Sequence, residues 1–410
     1  MLFRYFFLGF LFFSPFCRAQ ENIREIGALP DEVQETSGLL FYNGKLITHN
    51  DSGNTAQLFE IDTLSLEITR TVTITNAANV DWEDLAQDES YIYIGDIGNN
   101  NGTRTDLGIY RILKTDYNAL DRVTAERIAF TYEDQLSFDA NPNNNDWDAE
   151  ALFVWNNQLV VLTKQWVSNG TKAYAMSTVP GTYTATQVGS FAAGGLVTGA
   201  TYNPNISVLF LVGYTRFLAP FLVRIDGVSA TALFSENTAK TNLNLGFLQA
   251  EGIAFANENS YFFSSETFLN ANPPITSKSR LFAYSLTQLH QNEPPEIVLP
   301  EELVPEENVP EEDTPVNPEP QDPPDVENTS EKQDALRVYR NFGSSVLHYE
   351  LQTRSSVFGR VIFDTTGKLV QQGISAEKSA SIDVSMLEKS VYYLAFYLQG
   401  KIISKPFILN

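Results

Sequence analysis

Five segments of this chain can be laid over one another: ETSGLLFYNGKLITHND, WEDLAQDESYIYIGDIG, AEALFVWNNQLVVLTKQ, VTGATYNPNISVLFLVGY and AEGIAFANENSYFFSSE. Each opens on a small or acidic residue, runs through an apolar strand, turns on polar residues and returns in a second strand. A third strand follows in every unit (AQLFEID, LGIYRI, KAYAMS, APFLVRID, SRLFAYSL). The repeat length of about 50 residues suits a four-stranded sheet that buries its faces only by packing on neighbouring copies. Units one to four also supply a fourth strand (ITRTVTI, ERIAFTY, TATQVGSF, ATALFSE), but the fifth ends after Leu286. The segment NIREIGALP, at Asn22 to Pro30, precedes the first unit and has no sheet of its own. It is therefore expected to complete the last sheet and close the ring, which leaves no open edge. Abundant Phe, Tyr, Thr, Val and Ile agree with strands. The expected fold is an all-β, five-bladed β-propeller over 20–290. A sixth, diverged blade within Ile112 to Asn145 is the alternative.

The flanks differ from this body. Residues 1–19 carry one basic residue, Arg4, an apolar run and a small-x-small site at Cys17-Arg18-Ala19, which predicts a secretory signal peptide cleaved before Gln20. A lipoprotein signal on Cys17 would need a small residue where the bulky Phe16 stands. Cys17 is the only cysteine, so the mature chain has neither a disulfide nor a thiol nucleophile. No later segment is long and apolar enough for a transmembrane helix. From 291 to 332, prolines at 295, 300, 305, 310, 315 and 320 alternate with Glu pairs. Such a segment cannot bury apolar surface and predicts a disordered, extended Pro/Glu linker. Residues 333–410 contain seven short alternating segments and predict a small Ig-like β-sandwich. The formal charge of −23, without clustered Lys or Arg, excludes a nucleic-acid partner.

In a propeller the start of each first strand and the end of each second strand share one face. Asp81, Glu83, Asp84, Asp148, Glu150 and Glu251 stand at first-strand starts. Asn50, Asp51, Asp96, Lys164, Tyr214, Arg216 and Glu266 stand at or beside second-strand ends. Carboxylates gathered from several blades repel one another unless a cation offsets them. Hard oxygen donors without Cys or His clusters point to Ca²⁺ or Mg²⁺, with Ca²⁺ favoured by flexible, many-oxygen coordination, the first set serving as metal ligands and the second as a ligand-binding face. The alternative is that these residues serve turns and that Trp82 and Trp147 pack between blades. Trp166, Tyr214, Phe217 and Phe268 near the second-strand ends would suit capture of a glycan or peptide, and Lys164 or Arg216 a small anionic ligand. Catalysis by a Ser-His-Asp relay at His49, Asp51 and Ser52 is disfavoured, because neighbours in one turn cannot arrange it. The catalytic residues, if any, are not identifiable from sequence.

Two resemblances extend this reading. The final segment, with VYRN, VIFDTTGKLV, IDVSMLEKSVYYLAFYLQGK and KPFIL, resembles the C-terminal sorting domain of proteins exported by the type IX secretion system of Gram-negative bacteria. It departs from that family at Arg340-Asn341-Phe342, where a Pro-Asn-Pro element is usual, and at Ser390, where Gly is usual. The resemblance implies recognition by the type IX machinery and a secreted, extracellular or outer-membrane surface location. The acidic propeller face is similar in layout to secreted hydrolases of the phytase-like and lactonase-like kinds. That likeness implies an alternative to ligand or partner binding: a Ca²⁺-dependent phosphoesterase or lactonase/esterase-like hydrolase.

Overall fold

The five repeats become five antiparallel four-stranded units in the computed structural model, which describes residues 22–271, 274–287, 335–340, 344–353, 357–364, 369–373, 377–398 and 401–409. The expected signal segment 1–19 and linker 291–332 lie outside the described residues. Among the described residues strands predominate and the α-helix Lys114–Ala119 is a single short element, so the class is nearly all β. The inner strands are Thr36–Tyr42, Trp82–Gln87, Asp148–Trp155, Leu196–Asn203 and Ala250–Phe255. Each pairs with the second strand of its unit, Lys45–Asn50, Tyr91–Asp96, Gln158–Lys164, Val208–Tyr214 and Ser260–Ser265 respectively.

Third strands follow at Gln57–Ile61, Gly108–Leu113, Thr171–Ser177, Pro220–Asp226 and Arg280–Ser285. The outer strand of the fifth unit is the N-terminal Ile23–Ala28, paired antiparallel with Arg280–Ser285. The inner strands touch in the cyclic order one, two, three, four, five, one. Apolar clusters likewise join each unit to the next. The last of them packs Phe262 and Leu281 of unit five against Leu39, Leu46 and Phe59 of unit one. Burying both faces of every sheet against neighbours is what the alternating apolar pattern requires.

Two details differ from expectation. The outer strand of unit four is Thr238–Asn242 rather than the earlier ATALFSE segment. Ser229 and Ala232 form a tight bridge there, and Leu233 and Phe234 turn into the core between units three and four instead of pairing. The stretch 112–145 holds a short helix, Lys114–Ala119, a two-residue strand and the outer strand Glu126–Tyr132, with no separate sheet. That outer strand pairs in parallel with Gly181–Phe191 of unit three, so units two and three share one eight-stranded sheet.

At the C-terminal end, a three-stranded and a four-stranded sheet meet over Leu347, Tyr349, Ile362, Leu394 and Phe396. Val361, Phe363 and Ala395 from the four-stranded sheet pack against Leu196, Tyr214, Phe217, Leu218 and Phe247 of the repeat body. Phe247 and Phe363 stand edge to face with centroids 4.5 Å apart. Among the described residues, no helix is long and apolar enough to cross a membrane.

Every inner strand breaks register at the same point. Two of its residues oppose one on the second strand, a β-bulge that re-aims side chains. The pairs are Ser37-Gly38, Glu83-Asp84, Glu150-Ala151, Thr198-Gly199 and Glu251-Gly252. Neighbouring backbones approach so closely here that a Cβ on Gly38 would lie 2.7 Å from the Asp84 backbone, and one on Gly252 2.5 Å from the Ser37 carbonyl. Ser37 Oγ donates to the Glu83 carbonyl at 2.6 Å and Thr198 Oγ1 to the Ala250 carbonyl at 2.5 Å, tying adjacent units. Unit two alone carries a side chain larger than methyl at the second bulge position. The Asp84 carboxylate enters the axis, where it accepts Leu85 N–H at 2.8 Å, Leu152 N–H at 2.9 Å and Ala200 N–H at 3.5 Å. The Leu39 N–H also hydrogen-bonds to it. These four donors are equivalent positions of four units.

Removing that acceptor strands at least three buried N–H groups, each costing about 1–3 kcal/mol. Asp84→Ala should therefore lower the unfolding free energy by about 3 kcal/mol or more, measured by chemical denaturation. Added formate should restore part of the loss. A variant as stable as the parent would show that the carboxylate does not hold the axis.

Candidate functional site

The DWEDL stretch sends consecutive side chains to different places. Trp82 is fully buried between units one and two, its indole N–H donating to the Ala78 carbonyl at 3.1 Å. Asp84 fills the axis, while Asp81 and Glu83 face the end of the ring where second strands finish. There they meet Asp51, and one carboxylate oxygen from each of the three lies within 4.8 Å of the others. Gly98, from the GDIGNN segment, completes this corner. A Cβ at that position would fall on Glu83 Oε1 and the Asp81 carboxylate, so glycine is required for the carboxylates to stand where they do.

The corner opens into a cavity of about 220 Å³ lined by Ser37, Asp51, Glu83, Asn100, Asn143, Glu150, Lys164, Trp166, Tyr214, Gln249, Glu251 and Glu266. Three bulge residues, Glu83, Glu150 and Glu251, form its buried floor, with exposures of 4%, 4% and 6%. Asn143 at the mouth is exposed, and Trp166, Gln249 and Glu266 are partly so. The lining holds five carboxylates and one ammonium. That ammonium, Lys164 Nζ, sits 2.5 Å from Glu150 Oε1 and over the rings of Trp166 at 4.9 Å and Tyr214 at 5.5 Å.

Burial and mutual repulsion push these acids upward. Asp81 is raised to about 7 by burial and by the nearby Asp51 and Asp148 charges. Glu266 is raised to about 7 by burial and by Asp51. Glu83 and Glu251 stand well above the usual range for the same reasons. Burial works against the Lys164 charge, but Glu150 and the other anions outweigh it and hold the ammonium protonated.

Several residues expected at the site are engaged elsewhere. Asp84 is withdrawn from the metal set, because its oxygens serve the axial N–H groups. Asp148 is fully buried and accepts Asn99 N–H at 2.7 Å, Ala149 N–H at 3.1 Å and the Trp166 indole at 2.8 Å. Glu150 is ion-paired to Lys164. On the ligand-face set, Asn50 clasps the Asp31–Val33 turn through the Glu32 carbonyl at 2.8 Å. Asp96 is paired with Arg104 at 3.0 Å. Arg216 donates to Asn169 Oδ1 at 3.3 Å. Tyr214 and Glu266 do line the cavity with Asp51 and Lys164. A small anionic ligand is disfavoured by the excess of carboxylates over the single, already paired ammonium. Trp166, Tyr214, Phe217 and Phe268 are not a free aromatic platform, since they pack with the C-terminal residues of the rim cluster. Sequence reasoning brings the GDIGNN segment, with Gly98 and Asn100, to this face but does not single out Ser37, Asn143 or Gln249. The repeat alignment marks Ser37 at the bulge and Gln249 just before the fifth inner strand, whereas Asn143 sits on the loop between Glu126–Tyr132 and Asp148–Trp155.

Neither a protein-family model nor a characterised protein sequence matches the chain. Solved structures similar to it include hydrazine synthase of Kuenenia stuttgartiensis, at 10% identity over 58% of this chain and 57% of that chain, with a TM-score of 0.31. A chain of the mitotic checkpoint complex matches at 12% identity over 61% of this chain and 63% of the other, TM-score 0.30. PorZ, an essential bacterial surface component of the type-IX secretion system of Porphyromonas gingivalis, matches at 13% identity over 93% of this chain and 47% of that chain, TM-score 0.31. The chain thus spans less than two thirds of each of these relatives, and likenesses at this level assign no function.

The raised acids set a pH dependence. Between about pH 4 and pH 7 the folded chain keeps protons on Asp81 and Glu266 that the unfolded chain, with ordinary carboxyl groups, has lost. The native state then binds more protons, so stability falls as pH rises through that window. In EDTA the melting temperature should drop by several degrees from about pH 5 to about pH 8, and Asp81→Asn with Glu266→Gln should flatten the slope. An unchanged slope in that double variant would locate the proton uptake elsewhere.

Proposed function

We propose that the closed ring of units is a five-bladed β-propeller, joined by the Pro/Glu segment to an Ig-like sorting sandwich. We propose further that it is exported by the type IX route as a secreted or surface-displayed protein whose acidic face binds Ca²⁺ and, through that face, a ligand or partner. The ring reading is supported by the cyclic contacts of the inner strands and by the clusters that join unit five to unit one. The export reading rests on the sequence resemblance of the final segment.

The observation that carries the Ca²⁺ reading is the convergence of Asp51, Asp81 and Glu83 within 4.8 Å. Two Ca–O bonds of about 2.4 Å span at most about 4.8 Å, so the three oxygens fit one coordination sphere. The donors are hard oxygens, and the one nearby imidazole, His49, is buried against Trp82 with its Nδ1 on the Asn50 carbonyl. The amide oxygens of Asn100 and Asn143 and solvent would complete the sphere. A bound dication offsets the repulsion that raises these acids.

A second reading, hydrolysis, is favoured by Glu266, whose pKa near 7 suits a general base beside a polarising cation. Turnover of phosphate esters or lactones that needs Ca²⁺ and is lost in Glu266→Gln would select it over binding alone.

Saturating Ca²⁺ should stabilise the full chain against heat, by about 2.7 kcal/mol at a hundredfold excess over Kd. Asp81→Asn with Glu83→Gln, or Gly98→Ala alone, should abolish that gain. Calorimetry that finds no Ca²⁺ heat and no shift in melting temperature for the folded parent sinks the metal reading.

A further inference from the structure

Beside the Ca²⁺ corner the cavity holds a second group of acids, contributed by unit five. Glu251 and Glu266 come from unit five, whereas Asp51, Asp81 and Glu83 come from units one and two, and the Asp51 charge reaches both unit-five acids. Glu251 is 6% exposed, lines the cavity, and accepts no hydrogen bond among the described residues. Glu266 is bonded by the Gln249 side chain alongside it. The nearest ammonium, Lys164, is committed to Glu150 at 2.5 Å. A mostly buried carboxylate without a protein donor is left to cavity water, a proton or an arriving cation.

Two features identify the chemistry of that cation. Among the described residues, the carboxylates that converge closely enough to share a metal ion are Asp51, Asp81 and Glu83, and neither Glu251 nor Glu266 belongs to such a group. Acids outside such a three-oxygen group suit a cation that carries several diverging N–H donors, each forming its own charge-assisted bond. The adjoining wall is Trp166 and Tyr214, whose rings already hold the Lys164 ammonium at 4.9 and 5.5 Å. An aromatic wall beside acids is the surrounding that favours organic cations over hydrated metal ions.

We propose that the Glu251–Glu266 end of the cavity binds the primary ammonium group of an organic ligand. Gln249 and Tyr214 flank that group. The inference extends the cation-binding reading of the face, but it stands on unit five and does not require Ca²⁺ at the other corner. The ligand is an alkylamine, either free or as the side chain of an exposed lysine.

Calorimetric titration of the full chain tests it, with n-butylammonium, Nα-acetyl-lysine amide and n-butanol as probes, each in EDTA and in saturating Ca²⁺. Both ammonium probes should bind in both buffers and butanol should not. Tighter binding of the lysine derivative would identify a peptide side chain as the source, and tighter binding of butylammonium a free amine. Glu251→Gln should weaken ammonium binding at least tenfold while the Ca²⁺ shift in melting temperature persists. Glu266→Gln, at the partly exposed position, serves as the second variant should the first fail to fold. Asp81→Asn should remove the Ca²⁺ response and leave amine binding intact. Ammonium probes that bind no better than butanol, or that lose nothing in both Glu variants, overturn the assignment. Displacement of Ca²⁺ by the amine would overturn it as well, by merging the two ends into one site.

Discussion

A single carboxylate at the axis sets the terms for the rest of the ring. Five inner strands that lean on one another leave backbone N–H groups pointing at a narrow centre, where water has little room and an unpaired donor is expensive. Asp84 meets Leu39, Leu85, Leu152 and Ala200 there. Glycines at 38, 199 and 252 let the inner strands close in around it, because a Cβ at each would strike the backbone of the next unit. The asymmetry is therefore necessary: five aspartates would not fit and would repel, while none would strand the donors. Leu85, Leu152 and Ala200 also line a cavity of about 250 Å³ with Phe153, Tyr202 and Phe255 on the other side of the axis. Asp84 thus stands between this cavity, whose lining also includes Gln87, Asp88, Asn156 and Asn157, and the acidic one.

The same bulge that aims N–H groups inward also turns the preceding side chain towards the acidic end. Three of those five positions hold Glu, and two hold hydroxyls that bind a neighbouring carbonyl. Ser37 and Thr198 are satisfied within the protein, whereas the side-chain carboxylates of Glu83 and Glu251 accept no hydrogen bond from the described residues. The division is physically meaningful. A position serving packing alone gains nothing from a buried acid that its neighbours push towards neutrality, and a hydroxyl performs that task at Ser37 and Thr198.

Much of this architecture was legible as local pattern, because each unit repeats the same alternation and turn chemistry and the missing outer strand of the last unit demanded a distant partner. Ile23–Ala28 fills that place. What pattern could not resolve is direction. In WEDL the two acids are adjacent and chemically alike, yet the bulge turns Glu83 into the cavity and Asp84 into the axis. Asp96 and Asp148 look equally available in sequence, but Arg104 and the Trp166 indole engage them through contacts that depend on loop paths. The segment before Thr238 read as a strand because its apolar content is right, whereas Leu233 and Phe234 use it to pack between sheets.

The aromatic rim shows why the cavity and the C-terminal sheets cannot be treated separately. Tyr214 lines the acidic cavity, with Lys164 5.5 Å from its ring centroid. It also belongs to the apolar cluster formed with Val361, Phe363 and Ala395. One buried side chain is therefore a wall of the site and part of the seat for the C-terminal sheet. Trp166 takes part on both sides in the same way, packed against that cluster while its indole holds Asp148. Residues with shared partners do not act independently. A shift of the C-terminal sheet away from Phe217, Leu218 and Phe247 would relax the rings that confine the Lys164–Glu150 pair, and filling the cavity would stiffen the surface on which that sheet rests.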